Sequence, residues 1–261
     1  MKHHHLSPSK FPAWKTCPAF ESDSAERKDA GEGTRQHAAL ANILDGKESK
    51  DPSLPPDTME TVKWAAGYVR TLAEDHPIKI ESRVTYVTPD SFAPKGKSVV
   101  YHGTADAIVI KGNLADIADY KSGSDDRDHR PQLAGYALAL FSMRPRLKTI
   151  RCHLLYGRLR KVDSWSLSQA DAAGVVLPLL DARNDPGRQP VACDYCVFCA
   201  RRTTCPALCE KVQVVADVDQ NENLAELIRE PTAITDPKVM SKALTLARHV
   251  SIWADGVRKT A

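Results

Sequence analysis

Asp106, Asp119 and Lys121 are the residues in this chain whose types and spacing best suit chemistry. They flank a stretch that reads as a β-hairpin. Apolar residues run through Ala107, Ile108, Val109 and Ile110, return at Leu114 and Ile117, and leave Lys111-Gly112-Asn113 as the turn. A hairpin closed there brings the two aspartates and the lysine to one end of a sheet. Carboxylates gathered in one place are costly unless a cation joins them. Hard oxygen donors favour Mg²⁺ or Mn²⁺. Such an ion polarises a phosphoryl oxygen and acidifies a bound water, which suits phosphodiester hydrolysis. Lys121 would then stand near the attacking water or neutralise developing charge. The side chain of Tyr120 points to the other face, because strand side chains alternate, while its backbone carbonyl can still ligate. Taken alone, Asp and Lys two apart on a strand are more often an exposed ion pair.

Three further positions bear on that choice. Gln132 and Tyr136 are spaced i,i+4 and share one face of a helix that follows the strand. They could hold a substrate backbone or a metal-bound water, or be ordinary polar positions. His37 lies four residues beyond Gly33, near an expected helix start, and offers an imidazole ligand. Glu81 sits on the strand before the hairpin and could complete a carboxylate set.

The series Gly33…His37, Glu81, Gly103-x-x-Asp106, Asp119-x-Lys121 and Gln132-x-x-x-Tyr136 resembles the PD-(D/E)xK nuclease superfamily. Within it the likeness is to the RecB-type branch, including phage and prophage RecB-like proteins and CRISPR-associated RecB-like exonucleases. The match spans about residues 7–210 and includes the opening Ser7-Pro8-Ser9, Trp14-x-x-Cys17-Pro18 and Glu32-Gly33-Thr34-x-x-His37. The resemblance implies a restriction-endonuclease-like core: an α/β fold whose mixed sheet is flanked by helices. It implies a metal held by Asp106, Asp119 and the Tyr120 carbonyl, with His37 and Glu81 as further ligands. The catalytic set it implies is Asp106, Asp119, Lys121, Gln132 and Tyr136. Asp119 stands where many members have glutamate, one methylene longer.

Seven cysteines are present, and five of them fall between Cys193 and Cys209. Without a secretion signal, such crowding favours a metal site over disulfides. Cys196-x₂-Cys199-x₅-Cys205 resembles the C-terminal triplet of iron–sulfur RecB-like nucleases. The resemblance implies a distant partner, Cys17 of the Cys17-Pro18 pair, and a 4Fe-4S cluster that staples the two ends of the chain. Four thiolates serve a tetrahedral Zn²⁺ equally well. Cys193 and Cys209 are alternates, because Cys193-x₂-Cys196-x₂-Cys199 is also a plausible ligand run. Cys152 alternates within a strand and reads as a small core residue.

The elements that must position these groups follow from periodicity. A short helix opens near Ser9, and residues 21–33 read as polar loop. Helices are expected from Gly33 to the Gly46 stop, over 57–75, over 129–143, after the Ser168 cap to about Asn184, and over 237–258. Strands are expected over 78–88, in the hairpin, and over 148–157, with a loop at 89–96. The order is too irregular for a doubly wound fold, and no glycine-rich phosphate loop is present. Four parts are expected: 1–32 contributing Cys17, a nuclease core over 33–185, a cysteine-rich region over 186–212, and a helical tail over 213–261.

A net charge of +3 makes no argument for nucleic acid by itself. Arg144, Arg146, Lys148, Arg151 and Arg158, joined by Arg201 and Arg202, are candidate contacts to a DNA backbone or a solvated basic surface. No apolar run reaches a membrane span and none resembles a signal segment. The expectation is a cytoplasmic protein of a bacterium or phage-infected cell. The function expected is a metal-dependent DNA nuclease, more an exonuclease than an endonuclease, acting on single strands or duplex ends. A recombination or single-strand-annealing protein is a candidate partner. The rival readings are a catalytically silent DNA-binding adaptor and a zinc-stabilised structural protein.

Overall fold

A computed structural model describes residues 6–23, 28–48, 51–87, 99–123, 127–216 and 236–260. The chain divides into two compact units, residues 1–12 with 25–180 and residues 13–24 with 181–261. The expected loop at 89–96 lies outside the described residues.

The first unit is built on a five-stranded sheet in the order β1-β2-β3-β4-β5. The strands are β1 (Ile78–Val87), β2 (Val99–Lys111), β3 (Leu114–Lys121), β4 (Thr149–Tyr156) and β5 (Lys161–Leu167). Only the β3–β4 pair is parallel; the other neighbours are antiparallel. A parallel step needs a crossover, and α4 (Arg130–Met143) supplies it. This helix is buried from Pro131 to Phe141, as its nearly all-round apolar sequence requires. The opposite face of the sheet carries α2 (Lys28–Leu44) and α3 (Pro56–Ala73). Their Leu40, Val62, Ala66 and Val69 form one core with Ala107, Ala118, Tyr120 and Leu155 of the strands. The architecture is α/β, a mixed sheet flanked by helices.

Two elements depart from expectation. Helix α2 begins at Lys28 rather than Gly33, so part of the expected 21–33 loop is helical. Glycines inside a helix cost about 1 kcal/mol each, which is why Gly31 and Gly33 read as a boundary. Gly33 has a packing reason to be small, since a Cβ there would lie 3.1 Å from Ser122 Oγ. Strand β5 was not anticipated. It is an edge strand with a mostly polar sequence, and only Leu167 is fully buried. After it, α5 (Gln169–Asn184) is capped as expected, with Ser168 N–H and hydroxyl both donating to Asp171 Oδ2 at 2.9 and 2.6 Å.

Between α3 and the sheet lies a buried polar group. Asp116 accepts from Arg151 Nε at 2.6 Å and Nη2 at 2.8 Å, and pairs with His153 Nε2 at 3.0 Å. His153 Nδ1 meets Ser164 Oγ at 2.8 Å and Tyr68 OH at 3.2 Å. Burial alone would raise the Asp116 carboxyl, but His153 and Arg151 hold it at about 2.

In the second unit the segment around Cys17 pairs with the cysteine-rich segment. Ser22 and Cys199 form an antiparallel bridge, Asp23 N–H donates to Phe198 O at 2.9 Å, and Ala200 N–H to Glu21 O at 2.8 Å. Trp14, from the short helix α1 (Phe11–Thr16), stacks under Arg183 at 5.3 Å. Helix α6 (Pro206–Ala216) runs across the boundary expected at 212. Helix α7 (Pro237–Thr260) buries Ile252 in a cluster with Cys196, Cys205 and Leu208, so the expected tail packs with the cysteines.

Candidate metal centre and active site

The hairpin register pairs Ala107 with Ala118, which sets Asp106 opposite Asp119 at the end of the ladder. There the strands are joined through a side chain: Asp106 Oδ2 accepts the Tyr120 N–H at 2.7 Å. On the other side, β1 pairs Ile80 with Ala107 and Ser82 with Ala105, which sets Glu81 opposite Asp106. Glu81 itself adopts φ 45°, a left-handed backbone in the middle of a strand. Its carboxyl, an Asp106 oxygen and a His37 ring nitrogen lie within 4.8 Å of one another, a group able to hold a metal ion. His37 reaches in from α2, with Nδ1 3.0 Å from Asp106 Oδ1.

The charges explain one another. Burial disfavours the His37 cation, but the Asp106 carboxylate outweighs it and holds the imidazolium up to about 9. Burial likewise works against the Asp106 anion, yet His37 and the Tyr120 N–H keep it below the usual carboxylate range. Glu81 is pushed up by burial and then by Asp106. The imidazolium is thus favoured by its pairing with Asp106, and His37 must give up that proton to serve as a metal ligand.

Asp119 is not in that triad. It is 2 % exposed and belongs to a clamp around Lys121. Lys121 Nζ stands 2.7 Å from Asp119 Oδ2 and donates to Gln132 Oε1 at 2.8 Å. Gln132 Nε2 donates to Asp119 Oδ1 at 3.2 Å and to Tyr136 OH at 2.9 Å. The close approach of Lys121 lacks hydrogen-bond geometry, so Asp119 Oδ2 is a buried oxygen with no hydrogen bond. Burial raises the Asp119 carboxyl, partly offset by Lys121. Gln132 and Tyr136 therefore act first on Lys121 and Asp119, a more specific arrangement than two polar positions on one helix face.

Supporting residues went unread in the sequence. Tyr120 points away from the site, as alternation requires, and its hydroxyl donates to Gln36 Oε1 at 2.9 Å and meets Thr61 Oγ1 at 2.9 Å. A Cβ at Gly157 would come within 2.7 Å of Tyr120 Cε2 and Cζ. Gly103 is small for a similar reason, since a Cβ there would meet Tyr136 Cε1 at 2.8 Å and Pro8 Cδ at 2.9 Å. His129 precedes α4 and is kept neutral, lowered to about 3 by burial and then by Lys121.

Within the first unit the candidate basic contacts do not form one surface. Arg144, Arg146 and Lys148 lie by the hairpin turn, where Arg144 and Arg146 line a hollow with Ile110 and Gly112 and Lys148 N–H donates to Asn113 O at 2.8 Å. Asp119 is five residues along β3 from Leu114, or about 16 Å at strand rise. Arg151 is committed to Asp116. Arg158 is exposed in the β4–β5 turn, at the Lys121 end, where Gly157 N–H donates to Lys121 O at 3.0 Å. In the second unit Arg202 pairs with Asp23 at 2.9 Å and is 12 % exposed at its side chain. Arg201 lies 3.7 Å from Glu21.

Cys17, Cys193, Cys196, Cys199 and Cys205 line one pocket of the second unit, with Arg201 and Arg202 beside them. Cys209 is not among them; its thiol faces Thr203 O at 3.8 Å. Among the described residues no three cysteine sulfurs close into a metal-ready group. Cys17 Sγ accepts from Val191 N–H at 3.4 Å and Cys196 Sγ from Cys193 N–H at 3.2 Å. Cys152 is fully buried in β4, a core residue as expected.

Among the described residues no helix is long and apolar enough to cross a membrane. Comparison with curated proteins gives no match. Among solved structures the chain is similar to one described as the crystal structure of SSO0001, with a TM-score of 0.41 and 14% identity over 79% of this chain and 89% of that one. Residues 3–261 match the family described as protein of unknown function DUF2800, and the chain belongs to that family.

Proposed function

We propose that the chain is a metal-dependent deoxyribonuclease of the PD-(D/E)xK type, RecB-like branch. The observation that carries this reading is the meeting of two sets of groups at one sheet end. One is the ligand triad His37, Glu81 and Asp106. The other is the Asp119–Lys121–Gln132 clamp.

Imidazole nitrogen with carboxylate oxygen suits Mn²⁺ or Mg²⁺, and the buried Asp119 Oδ2, ion-paired with Lys121 but without a hydrogen bond, is a further donor of the right kind. When bound, such an ion would polarise a phosphoryl oxygen and acidify a water. His37, Glu81, Asp106 and Asp119 would hold it, with the Tyr120 carbonyl as an added ligand. Asp119 and Gln132 aim the Lys121 ammonium, whose charge would meet that developing on the phosphoryl group. Tyr136 fixes Gln132 through its hydroxyl. Arg158, exposed at the same sheet end, would meet a backbone phosphate and make binding salt-dependent.

For the second unit we read the pocket as the place of a 4Fe-4S cluster held by Cys17, Cys196, Cys199 and Cys205. A single zinc would need its sulfurs about 4 Å apart, whereas a four-iron cluster places each thiolate on its own iron. The pocket gathers these thiols, and the choice of a cluster over zinc rests on the likeness of the Cys196, Cys199 and Cys205 triplet to iron–sulfur RecB-like nucleases. The cluster would tie the segment around Cys17 to the cysteine-rich segment.

The test is Mn²⁺ binding by calorimetry to wild type, Asp106→Asn and Asp119→Asn. The reading expects one tight site in wild type, weakened at least tenfold in Asp106→Asn. Equal Mn²⁺ affinity in all three would remove the metal centre from the account.

A further inference from the structure

Five thiols line a pocket whose expected occupant needs four. The extra one is Cys193, and its placement is specific. It caps the 3-10 turn Asp194–Phe198, and Cys196 N–H donates to Cys193 O at 2.9 Å. The Cys193 N–H in turn donates to Cys196 Sγ at 3.2 Å, and Thr16 Oγ donates to Cys193 Sγ at 3.6 Å. A closed turn brings its first and fourth Cα atoms within about 7 Å, and a disulfide bridges Cα atoms about 4.4–6.8 Å apart. The two thiols differ in access: Cys196 is 6 % exposed, whereas Cys193 is half-buried.

We infer that Cys193 and Cys196 are a reversible dithiol–disulfide pair, in which Cys193 withdraws Cys196 from the metal-ligand set when the pocket is empty. The disulfide step rests on the placement of the thiols, its effect on metal loading rests on the reading of the pocket as an iron–sulfur site, and neither depends on the nuclease reading. The oxidant is a small disulfide such as oxidised glutathione. The more exposed Cys193 thiolate attacks one of its sulfurs, forming a mixed disulfide and releasing one glutathione thiolate. Cys196 then attacks the Cys193 sulfur, closing the ring and releasing the second glutathione. The two protein thiols lose two protons and two electrons, and the glutathione disulfide gains both. Reduction reverses each step and returns Cys196 to the pocket. Cys199 stands in the same kind of turn, its N–H donating to Cys196 O at 3.1 Å, but it is Cys193 whose N–H Cys196 Sγ accepts at 3.2 Å; Cys199 bonds into the bridge with Ser22, and Cys17 lies on a separate segment.

The experiment uses the full chain, stripped of metal by a chelator under reducing conditions and then equilibrated with graded mixtures of reduced and oxidised glutathione. Free thiols are counted by maleimide mass tagging, and the bond is located by peptide mapping. The expected result is a loss of two of the seven thiols, with both positions in one peptide spanning Cys193 and Cys196. Cys193→Ser should give a glutathione adduct on one cysteine and no intrachain bond. When the reduced chains are reconstituted with iron and sulfide, Cys193→Ser should take up as much iron as wild type. Cys196→Ser should take up much less. A disulfide joining Cys17, Cys199 or Cys205 would overturn the inference, as would seven free thiols throughout or loss of iron loading in Cys193→Ser. Failure here leaves Mn²⁺ binding and DNA cleavage untouched, and failure of those leaves the thiol count as it is.

Discussion

Glu81→Gly should make the metal-free protein more stable and the metal-loaded protein less so. Glu81 has φ 45°, and a left-handed backbone costs a residue with a Cβ about 1–2 kcal/mol. Glycine avoids that cost, offset by about 0.5–1 kcal/mol of extra chain entropy lost on folding. The net gain is about 0.5–1 kcal/mol, or roughly 1–4 °C in Tm for a chain of this size. Removing the Glu81 carboxyl also takes away its repulsion with Asp106. In Mn²⁺ at a hundred times its Kd, wild type gains about 2.7 kcal/mol. If the lost ligand weakens binding tenfold, the variant forgoes about 1.4 kcal/mol of that. The order of stability therefore inverts between chelator and Mn²⁺. Glu81→Gln keeps the backbone strain and loses the anionic donor together with its repulsion with Asp106, so it should show the Mn²⁺ deficit and a smaller gain in chelator than Glu81→Gly. Thermal melts in both conditions provide the assay. A Glu81→Gly protein less stable than wild type in chelator would refute the strain argument. An unchanged Mn²⁺ increment would refute the ligand role.

Other expectations follow from the same geometry. Asp116, held at about 2 against an unfolded value of about 3.9, adds stability that is present above pH ~4 and lost as pH falls toward ~2. That amounts to about 2 kcal/mol, so acid unfolding followed by circular dichroism should be less steep in this range for Asp116→Asn, and an identical profile would count against it. Gly157→Ala would crowd the Tyr120 ring and should lower stability by about 1–3 kcal/mol, read as a shift in the urea midpoint. Arg158→Glu should weaken DNA binding and reduce the slope of log K against log salt by about one contact. The same change at Arg144 or Arg146, by the hairpin turn, should leave the slope unaltered in fluorescence anisotropy.

Much of the site was legible because a hairpin is a local object. Asp106 and Asp119 are equidistant from the turn, so their meeting follows from period-two alternation once the turn is placed. Gln132 and Tyr136 were readable as a helix pair, though not their hold on Lys121. Glu81 was visible as a strand carboxylate, but its position opposite Asp106 depends on a register with a strand beginning eighteen residues later. Its left-handed backbone has no sequence signature. Helix α2 was started late because Gly31 and Gly33 oppose a helix locally, and tertiary packing overrides them. Strand β5 escaped notice because an edge strand with serines and charges buries little. The Asp116–Arg151–His153 group draws on two strands joined by a crossover, so no window of sequence contains it. The basic stretch misled for the opposite reason: residues close in sequence span both ends of β4.

Cleavage itself bears most directly on the central claim. Linear DNA labelled at the 5′ or 3′ end, single-stranded and duplex, would be followed in time with Mn²⁺ for wild type, Asp119→Asn and Lys121→Met. The account predicts metal-dependent loss of the label by wild type, and at least a hundredfold slower reaction in both variants, each still folded and Lys121→Met still binding Mn²⁺. Wild type that leaves every substrate intact in Mn²⁺ and Mg²⁺, or a Lys121→Met that cuts at the wild-type rate, would contradict it.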